Sequence, residues 1–252
     1  MNGYSGFYEQ PVSGGATAMI RFLCLNAFIA SYSIMFCLWA ILLSLFNCSA
    51  RRVHFWVAVP WAKGILRVCG IRVDVSGKEN VDPDVPRVYM VNHQSYFDVF
   101  VVLACLPLDF KFLLKEELMR IPLLGPAMRH AGYIGIERDD PRKAIKSMNL
   151  AAQRIKGGAS VLIFPEGTRS LDGNLGSFKK GGFNLALKSG CDIVPVTISG
   201  TARIVPKGSL KIEKGNVGFF ISRPIPLAGY SRRNVAQLMD EVRASMLASK
   251  GK

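Results

Sequence analysis

Charged side chains are nearly absent from the first fifty residues of this 252-residue chain, which contain one acid, Glu9, and one base, Arg21. The formal net charge of +14 therefore comes from the rest of the chain. An asymmetric basic charge of this kind favours a surface that faces anionic lipid or nucleic acid. Because helix-turn-helix, zinc-finger and aromatic RNA-binding motifs are also absent, we expect no nucleic-acid partner.

Cysteine and histidine are too sparsely placed to form a metal or redox motif. The six cysteines include no CxxC pair, and the three histidines are not spaced as ligands of one metal ion. The cysteines are interpreted as small hydrophobic residues in a reducing compartment, and we expect no metal and no cofactor. Cys105 and Cys191 are alternative nucleophiles, but neither has a histidine near it in the sequence.

Apolar residues make up 50% of the chain, with a mean hydropathy of +0.24. Residues 22–46 form an uncharged run of 25, long enough as a helix to cover a hydrocarbon core of about 30 Å. A cleaved signal peptide is the alternative, but the run is too long and only Arg21 precedes it. We therefore expect a membrane element, preceded by a poorly ordered Gly- and Ser-rich segment at residues 1–20.

A second segment, residues 53–70, combines two tryptophans with basic residues in the sequence VHFWVAVPWAKGILRVCG. This mixture is typical of a helix in the headgroup layer, with an ordinary surface helix as the alternative, and Pro60 predicts a kink. Residues 21–70 are accordingly predicted to be a membrane-embedded two-helix module. The basic chain beyond it predicts an active site on the cytoplasmic side of the cell's inner (cytoplasmic) membrane.

From residue 71 onward, β-prone apolar runs alternate with helical stretches, which is typical of an α/β domain. We predict a mixed, mostly parallel sheet flanked by helices over residues 71–252. The β-prone runs are residues 71–77, 87–93, 110–115, 132–138, 160–167 and 192–200.

One predicted helix has clear ends. Asp140 is a suitable N-cap, Pro141 suits the first helical position, and Gly157 ends the pattern. Its apolar stripe is interpreted as core. The residues of the stripe are Ile145, Met148, Ala152 and Ile155. A further amphipathic helix is predicted at residues 231–250, packed on the sheet.

The best candidate for chemistry is His93, within residues 92–98. A histidine titrates near neutral pH, so it can accept a proton from an alcohol and return it to a leaving group. Asp98 is near enough to fix the tautomer and orientation of the ring. Five helical positions rotate the chain by about 140°, so we predict a strand end, a turn and then a helix capped by Ser95. A structural histidine beside an acidic cap is the alternative.

A second polar stretch follows the predicted strand at residues 160–164. If this strand runs parallel to the one before His93, both stretches emerge at the same edge of the sheet. Gly167 allows backbone amides to approach a ligand, Thr168 offers a hydroxyl, and Arg169 has the planar donors that match a phosphate. These residues predict an anion site. A charged turn in which Arg169 pairs with Glu166 is the alternative.

Four sequence blocks occur in a fixed order: NHQSYFD at 92–98, KEELMRIPLLGPAMRHAGYIGIER at 115–138, FPEGTRS at 164–170 and VPVTI at 194–198. Together they resemble the blocks of the glycerolipid acyltransferases, over about residues 55–225, and four ordered blocks are more specific than any one of them. They are most similar to those of members that acylate 1-acyl-glycerol 3-phosphate. The resemblance implies the acyltransferase fold and an N-terminal two-helix membrane module.

The resemblance also implies a role for each site residue. His93 is the expected base and Asp98 its orienting partner. The expected substrate-binding residues are Glu166, Gly167, Thr168 and Arg169, which bind the glycerol phosphate, with Lys115 and Arg138 assisting at the headgroup. Backbone amides around residues 94–97 are a further expectation, as donors to the oxyanion. The apolar residues between Lys115 and Arg138 suit an acyl tunnel, but helix packing on the sheet is the default interpretation.

The implied reaction is transfer of a fatty acyl group from acyl-CoA or acyl carrier protein to the sn-2 hydroxyl of lysophosphatidic acid. The product is phosphatidic acid for phospholipid biosynthesis, and the transfer is direct, without an acyl-enzyme. The expected partners are therefore the phospholipid bilayer, lysophosphatidic acid and the acyl carrier. The alternatives are another acceptor (glycerol 3-phosphate, a lysophospholipid or a lyso-amino-acid lipid), a membrane-bound thioesterase, and a non-enzymatic scaffold.

Overall fold

The computed structural model describes residues 15–137 and 140–249, and a seven-stranded sheet lies at its centre. The strand order is β1-β7-β6-β2-β5-β3-β4. Strands β6, β2, β5, β3 and β4 are parallel, whereas β7 pairs antiparallel with β6 and parallel with β1. The predicted mixed, mostly parallel sheet is confirmed. The strands are β1 (Ile71–Ser76), β2 (Val88–Val91), β3 (Phe110–Lys115), β4 (Ile134–Ile136), β5 (Ser160–Ile163), β6 (Ile193–Ser199) and β7 (Gly215–Ile221).

Strand β7 was absent from the prediction. Glycines at positions 215 and 218 interrupt the apolar run, and glycine is a poor strand former. The signal that identifies it is alternation, because Val217, Phe219 and Ile221 are buried while the residues between them are partly exposed.

Helices cover both faces of the sheet. One face packs against α3 (Val59–Val68) and α4 (Phe97–Cys105), and the other packs against α6 (Pro141–Lys156), α7 (Lys180–Ser189) and α9 (Val235–Ser249). Within β2, Tyr89 and Val91 contribute to the first apolar layer while Val88 and Met90 contribute to the second. This alternation is the period of two that a strand buried on both faces requires. The remaining helices are α1 (Gly15–Leu45), α2 (Ala50–Val53), α5 (Leu124–His130) and α8 (Thr201–Ile204).

Helix α6 follows its predicted capping but not its whole predicted stripe. The Asp140 side chain accepts hydrogen bonds from two backbone N–H groups of the first turn, and the C-cap is Gly157. Ala152 and Ile155 are buried, whereas Ile145 is 62% exposed and lies outside the core. Helix α9 starts at Val235, four residues after the predicted beginning, and packs on β6 and α7.

The amino-terminal region forms two helical segments. Helix α1 begins at Gly15, so residues 15–20 of the segment predicted to be poorly ordered are helical, and residues 1–14 lie outside the described part of the chain. Among the described helices, α1 is the one with the length and apolar composition to cross a membrane. Helices α2 and α3 follow one another through a π-helical turn at His54–Ala58. The turn lies just before Pro60, which lacks the N–H for a bond to the carbonyl of residue 56.

Helix α1 is attached to the domain by small and aromatic residues. Gly64 of α3 lies against the ring of Tyr32, and the Trp61 Nε1–H donates to Ser33 Oγ at 3.0 Å. Helix α5 also packs on α1, so this part of the second block is a packing surface, although the default interpretation had placed it on the sheet. An apolar cavity of about 60 Å³ remains between α1, the π-helical turn and α5.

Candidate active site

His93 lies just beyond the carboxyl end of β2, and Asp98 lies in the first turn of α4. The predicted order of strand end, turn and helix is therefore observed. The Nδ1–H of His93 donates to Asp98 Oδ2 at 2.8 Å, and Phe164 stacks on the imidazole with a centroid separation of 4.0 Å. Because Asp98 engages Nδ1, Nε2 is the ring nitrogen that can accept a proton from a substrate.

The turn that carries His93 is fixed by side chains that replace missing backbone pairs. Asn92 extends the β2–β6 ladder, since its amide donates to the Ile198 carbonyl at 2.9 Å and accepts the Ile198 N–H at 2.6 Å. Ser95 Oγ accepts the Phe97 N–H at 3.2 Å and donates to the Val205 carbonyl at 2.8 Å. Helix α4 thus begins at Phe97 with Tyr96 at the N-cap position, one residue later than predicted.

Asp98 is fully buried and strongly hydrogen-bonded. Its Oδ2 accepts the N–H groups of Gln94 at 2.6 Å and Ser95 at 2.9 Å in addition to the His93 ring, and its Oδ1 accepts the Thr201 hydroxyl at 2.5 Å. These donors allow a carboxylate to remain in an interior site. The amides of Gln94, Ser95 and Phe97 are bound within the protein, so among the expected oxyanion donors of residues 94–97 only the Tyr96 amide stays a prediction.

The third block meets the first block at the same edge, because β2 and β5 are adjacent and parallel. Glu166 is buried, and its two oxygens accept the N–H groups of His93 and Gly176, each at 2.8 Å. Burial raises the pKa of the Glu166 carboxyl, and these two N–H groups act against that rise. Glu166 therefore holds the loop to His93, and its expected contact with substrate stays a prediction.

Gly167 also has a structural role. Its N–H donates to the Phe164 carbonyl at 3.1 Å, and its φ of +71° lies in the left-handed region that favours glycine. The tight turn returns the chain to the first block, where the Ser170 N–H donates to the His93 carbonyl at 2.7 Å. His93 is thus held by the third block through both its N–H and its carbonyl.

Arg169 lies over the ring of Tyr96, with 3.5 Å between the guanidinium carbon and the ring centroid. Because the ring covers one face of the guanidinium, its N–H donors are presented at the edge of the guanidinium plane. Its Nη1 is buried, and no hydrogen-bond partner for it occurs among residues 15–137 and 140–249. The alternative of a pair between Arg169 and Glu166 is not supported, since both Glu166 oxygens bind backbone N–H groups.

Lys207 adds a second positive charge that the sequence did not indicate. Its ammonium donates to the Arg169 carbonyl at 2.8 Å and to the Thr168 hydroxyl at 3.4 Å. Thr168 is exposed beside it. The chain places this lysine 38 residues after Arg169, in a turn whose sequence has no recognisable motif. Two cations and a hydroxyl therefore surround one polar surface close to His93.

Lys115 and Arg138 are the other two residues predicted to bind the headgroup. Lys115 ends β3 at the same sheet edge, and its ammonium bonds Glu117 Oε2 at 2.9 Å. Arg138 lies outside the described residues. Within the part of the chain that the structure describes, no group of three or more His, Cys, Asp or Glu residues is placed to hold a metal ion.

A mostly parallel sheet with a partly exposed histidine, a buried aspartate bound to it and a basic rim is typical of enzymes that activate an alcohol beside an anion. A family model described as Acyltransferase matches residues 72–199, just over half of the chain. The chain therefore belongs to the Acyltransferase family, which confirms the resemblance found in its sequence.

Individual relatives are more specific. The chain is 40% identical over 204 residues to a chloroplastic 1-acyl-sn-glycerol-3-phosphate acyltransferase of Arabidopsis thaliana, covering 78% of this chain and 57% of that protein. It is 35% identical over 179 residues to the human 1-acyl-sn-glycerol-3-phosphate acyltransferase alpha, covering 71% and 63%. The chain thus spans less than two thirds of the length of these relatives.

A solved structure is also similar over nearly its whole length. It is the crystal structure of the 1-acyl-sn-glycerophosphate acyltransferase from Thermotoga maritima, with a TM-score of 0.78 and 26% identity. The match covers 91% of this chain and 95% of that one. The fold of both domain and amino-terminal helices therefore has a known counterpart.

Proposed function

We propose that this chain transfers a fatty acyl group from an acyl thioester to the sn-2 hydroxyl of 1-acyl-sn-glycerol 3-phosphate. The products are phosphatidic acid and the free thiol of the carrier, either coenzyme A or acyl carrier protein. The single observation that supports this most is the 2.8 Å bond between His93 and Asp98 at the same rim as the Arg169 guanidinium. This acceptor requires a base that removes the proton of its alcohol and a group that binds its phosphate, and a planar guanidinium is suited to the second role.

His93 acts as the general base. Its Nε2 accepts the proton of the sn-2 hydroxyl as that oxygen attacks the thioester carbonyl, and the Asp98 carboxylate stabilises the imidazolium that forms. Collapse of the tetrahedral intermediate breaks the carbon–sulfur bond, and the imidazolium returns its proton to the departing thiolate. The acyl group passes directly from donor to acceptor, so no side chain carries it.

Arg169 binds the phosphate of the acceptor. Tyr96 covers one face of the guanidinium, so the donor edge is presented in a fixed plane, and Lys207 adds positive charge beside the Thr168 hydroxyl. A phosphate bound here fixes the glycerol backbone relative to His93. Holding both reacting groups in place supplies much of the rate enhancement in reactions of this type.

Membrane attachment suits a lipid acceptor and a lipid product. Helix α1 exposes apolar side chains along most of its length, and Arg51 and Arg52 lie over the rings of Phe55 and Trp56 at the start of the next segment. Aromatic and basic residues in this arrangement favour the headgroup layer. We place α1 in the hydrocarbon core, the α2–α3 segment at the interface, and the catalytic edge on the cytoplasmic side of the inner membrane.

The test is an acceptor panel with the purified full chain in lipid nanodiscs. Acyl-CoA and acyl carrier protein are offered separately with four acceptors, and the products are identified by mass spectrometry. The acceptors are 1-acyl-glycerol 3-phosphate, glycerol 3-phosphate, 1-acyl-glycerol and lysophosphatidylcholine. We expect phosphatidic acid as the main product and a loss of at least about a hundredfold for His93→Gln.

His130→Gln is the matched control, because His130 is an exposed histidine at the end of α5. It is expected to retain full activity. Release of free fatty acid in every arm, with no acylated acceptor, contradicts the proposal and identifies a thioesterase. Preference for an acceptor without the sn-1 acyl chain or without the phosphate contradicts the substrate assignment.

A further inference from the structure

Asp98 has one hydrogen-bond donor that is remote in sequence. The three groups bound to Oδ2 come from residues 93–95, whereas the Thr201 hydroxyl bound to Oδ1 lies 103 residues away. Thr201 is completely buried and its oxygen is 2.5 Å from the carboxylate. We propose that Thr201 is a positioning residue that orients Asp98 and sets the proton affinity of His93, an inference that rests on the proposed function.

The Thr201 hydroxyl lies just after the end of β6, the strand next to β2. Strand β6 ends at Ser199, and Gly200 turns the chain with a φ of +97°. A Cβ at Gly200 would lie 2.7 Å from the Asn216 carbonyl oxygen, so a side chain does not fit there. The turn brings Thr201 to the start of α8 and under the carboxylate.

Helix α8 is also attached to the catalytic turn at its other end. Ser95 Oγ donates to the carbonyl of Val205, the residue after α8, at 2.8 Å. The four-residue helix therefore contacts the His93 turn through Thr201 and through Val205. This double attachment defines where the Thr201 hydroxyl lies relative to Oδ1.

The hydroxyl affects the chemistry because Oδ1 is removed from water. A donor on a buried carboxylate oxygen stabilises its negative charge and fixes the plane of the group. Without that donor, the carboxylate is held through Oδ2 alone, and its less stabilised charge holds the proton on the imidazole more strongly. His93 is then protonated at a higher pH and is less often available as a base.

Thr201→Val tests the proposal because valine keeps the shape of threonine but lacks the hydroxyl. We expect kcat to fall about 10- to 100-fold, with the KM for the lysophosphatidate acceptor within about twofold of the wild-type value. We also expect the acidic limb of the pH profile to move to higher pH. Thr201→Ser keeps the hydroxyl and is expected to remain within about threefold of wild type, so it rescues the effect.

Thr197→Val is the matched control. Thr197 is buried on β6, the strand that precedes Thr201, and its hydroxyl donates to the Met246 carbonyl at 3.2 Å rather than to the catalytic pair. Its loss removes a buried hydroxyl bond of the same kind and is expected to leave the pH profile unchanged. If the Thr201→Val protein does not fold, comparison of Thr201→Ala with Thr201→Ser isolates the hydroxyl instead.

A second measurement separates this inference from the proposed function. Diethyl pyrocarbonate modifies neutral imidazole, and peptide mass spectrometry gives the modification rate of His93 at each pH without any acyl transfer. We expect its midpoint to move to higher pH in Thr201→Val and not in Thr197→Val. Unchanged modification and an unchanged pH profile overturn the Thr201 role, whereas a wild-type chain that acylates no lysolipid overturns the proposed function alone.

Discussion

Under the proposed function, Arg169 is the residue expected to distinguish the acceptor from lipids without a phosphate. Its guanidinium is stacked on Tyr96, and the N–H of its neighbour Ser170 donates to the His93 carbonyl. The position of the arginine side chain is therefore restricted, and it cannot readily adjust to a ligand bound elsewhere. A lysine at this position has the charge but neither the planar fork nor the stacking. Single-residue changes here are therefore expected to affect acceptor binding more than the chemical step.

Arg169→Gln is expected to raise the KM for 1-acyl-glycerol 3-phosphate about 10- to 100-fold, with a smaller change in kcat, because one charge-assisted contact to phosphate is lost. Steady-state kinetics with varied acceptor provide the measurement. Arg142→Gln, a change of an exposed arginine on α6, is the control. An unchanged KM in Arg169→Gln is incompatible with an anion site at this position.

His54 gives a prediction about pH and stability. It is fully buried in the π-helical turn between the rings of Phe55 and Phe110, and burial lowers its pKa to about 4, with Asp109 acting in the opposite direction and Lys111 adding to the decrease. The unfolded chain binds this proton near pH 6.5 and the folded chain only near pH 4. Acidification from pH 7 to pH 4 therefore lowers the free energy of unfolding by about 3 kcal/mol.

The midpoint of thermal unfolding is expected to fall over this pH range in the wild-type protein and to fall less in His54→Leu. His130→Gln, with an exposed side chain, is expected to keep the wild-type pH dependence. Equal slopes in the wild-type protein and His54→Leu argue that other groups account for the acid sensitivity.

At the scale of secondary-structure elements, the attachment of α1 depends on a close approach to α3. A Cβ at Gly64 would meet the hydroxyl of Tyr32, so Gly64→Leu forces the two helices apart or displaces the tyrosine. We expect lower thermal stability and about tenfold faster trypsin cleavage after Arg51 and Arg52, at the beginning of α2. Intact-mass analysis after limited trypsin treatment in detergent measures the cleavage.

Tyr32→Ala combined with Gly64→Leu removes the clash and serves as the control. The double variant is expected to be less sensitive to protease than Gly64→Leu alone, since neighbouring substitutions couple. If the double variant is as sensitive as the single one, the close approach of the two helices does not determine how α1 is attached.

The predictability of these elements depended on local signals. The capped helix α6 and the parallel strands β2 and β5 carry periodic patterns and turn residues, and both were predicted. Strand β7 was missed because glycines obscured its alternation. Ile145 was assigned to the core because it lies on the same face of α6 as Ala152, yet it is 62% exposed near the beginning of the helix, and helical periodicity does not show how far along a helix the core extends. In the site, the His93–Asp98 pair is local in sequence, whereas contacts from Thr201 and Lys207 depend on how distant segments meet.

At the scale of the whole molecule, charge and apolar surface are separated along the chain. The first fifty residues carry no net charge, while the formal charge of +14 lies beyond them. Apolar insertion is insensitive to salt, whereas attraction of basic residues to anionic lipid is screened within about 3 Å at 1 M salt. The two modes of attachment can therefore be separated by ionic strength.

Membranes containing the full chain are expected to retain it through washes with 1 M sodium chloride and to release it only with detergent. Immunoblots of the pellet and supernatant after ultracentrifugation give the result. A peripheral membrane protein added to the same membranes is the control for the wash. Quantitative release by salt is incompatible with insertion of α1 into the hydrocarbon core.

The His93 carbonyl accepts a hydrogen bond from the Ser170 N–H, and its N–H donates one to Glu166, so two bonds join the base to the third-block loop. The hydrogen bonds thus constrain the distance between the imidazole and the guanidinium. Under the proposed function, we expect a lysolipid to react when the distance between its phosphorus and its free oxygen matches this one. Isomers with the acyl group on the other glycerol carbon have a different phosphorus-to-oxygen distance and are expected to react more slowly.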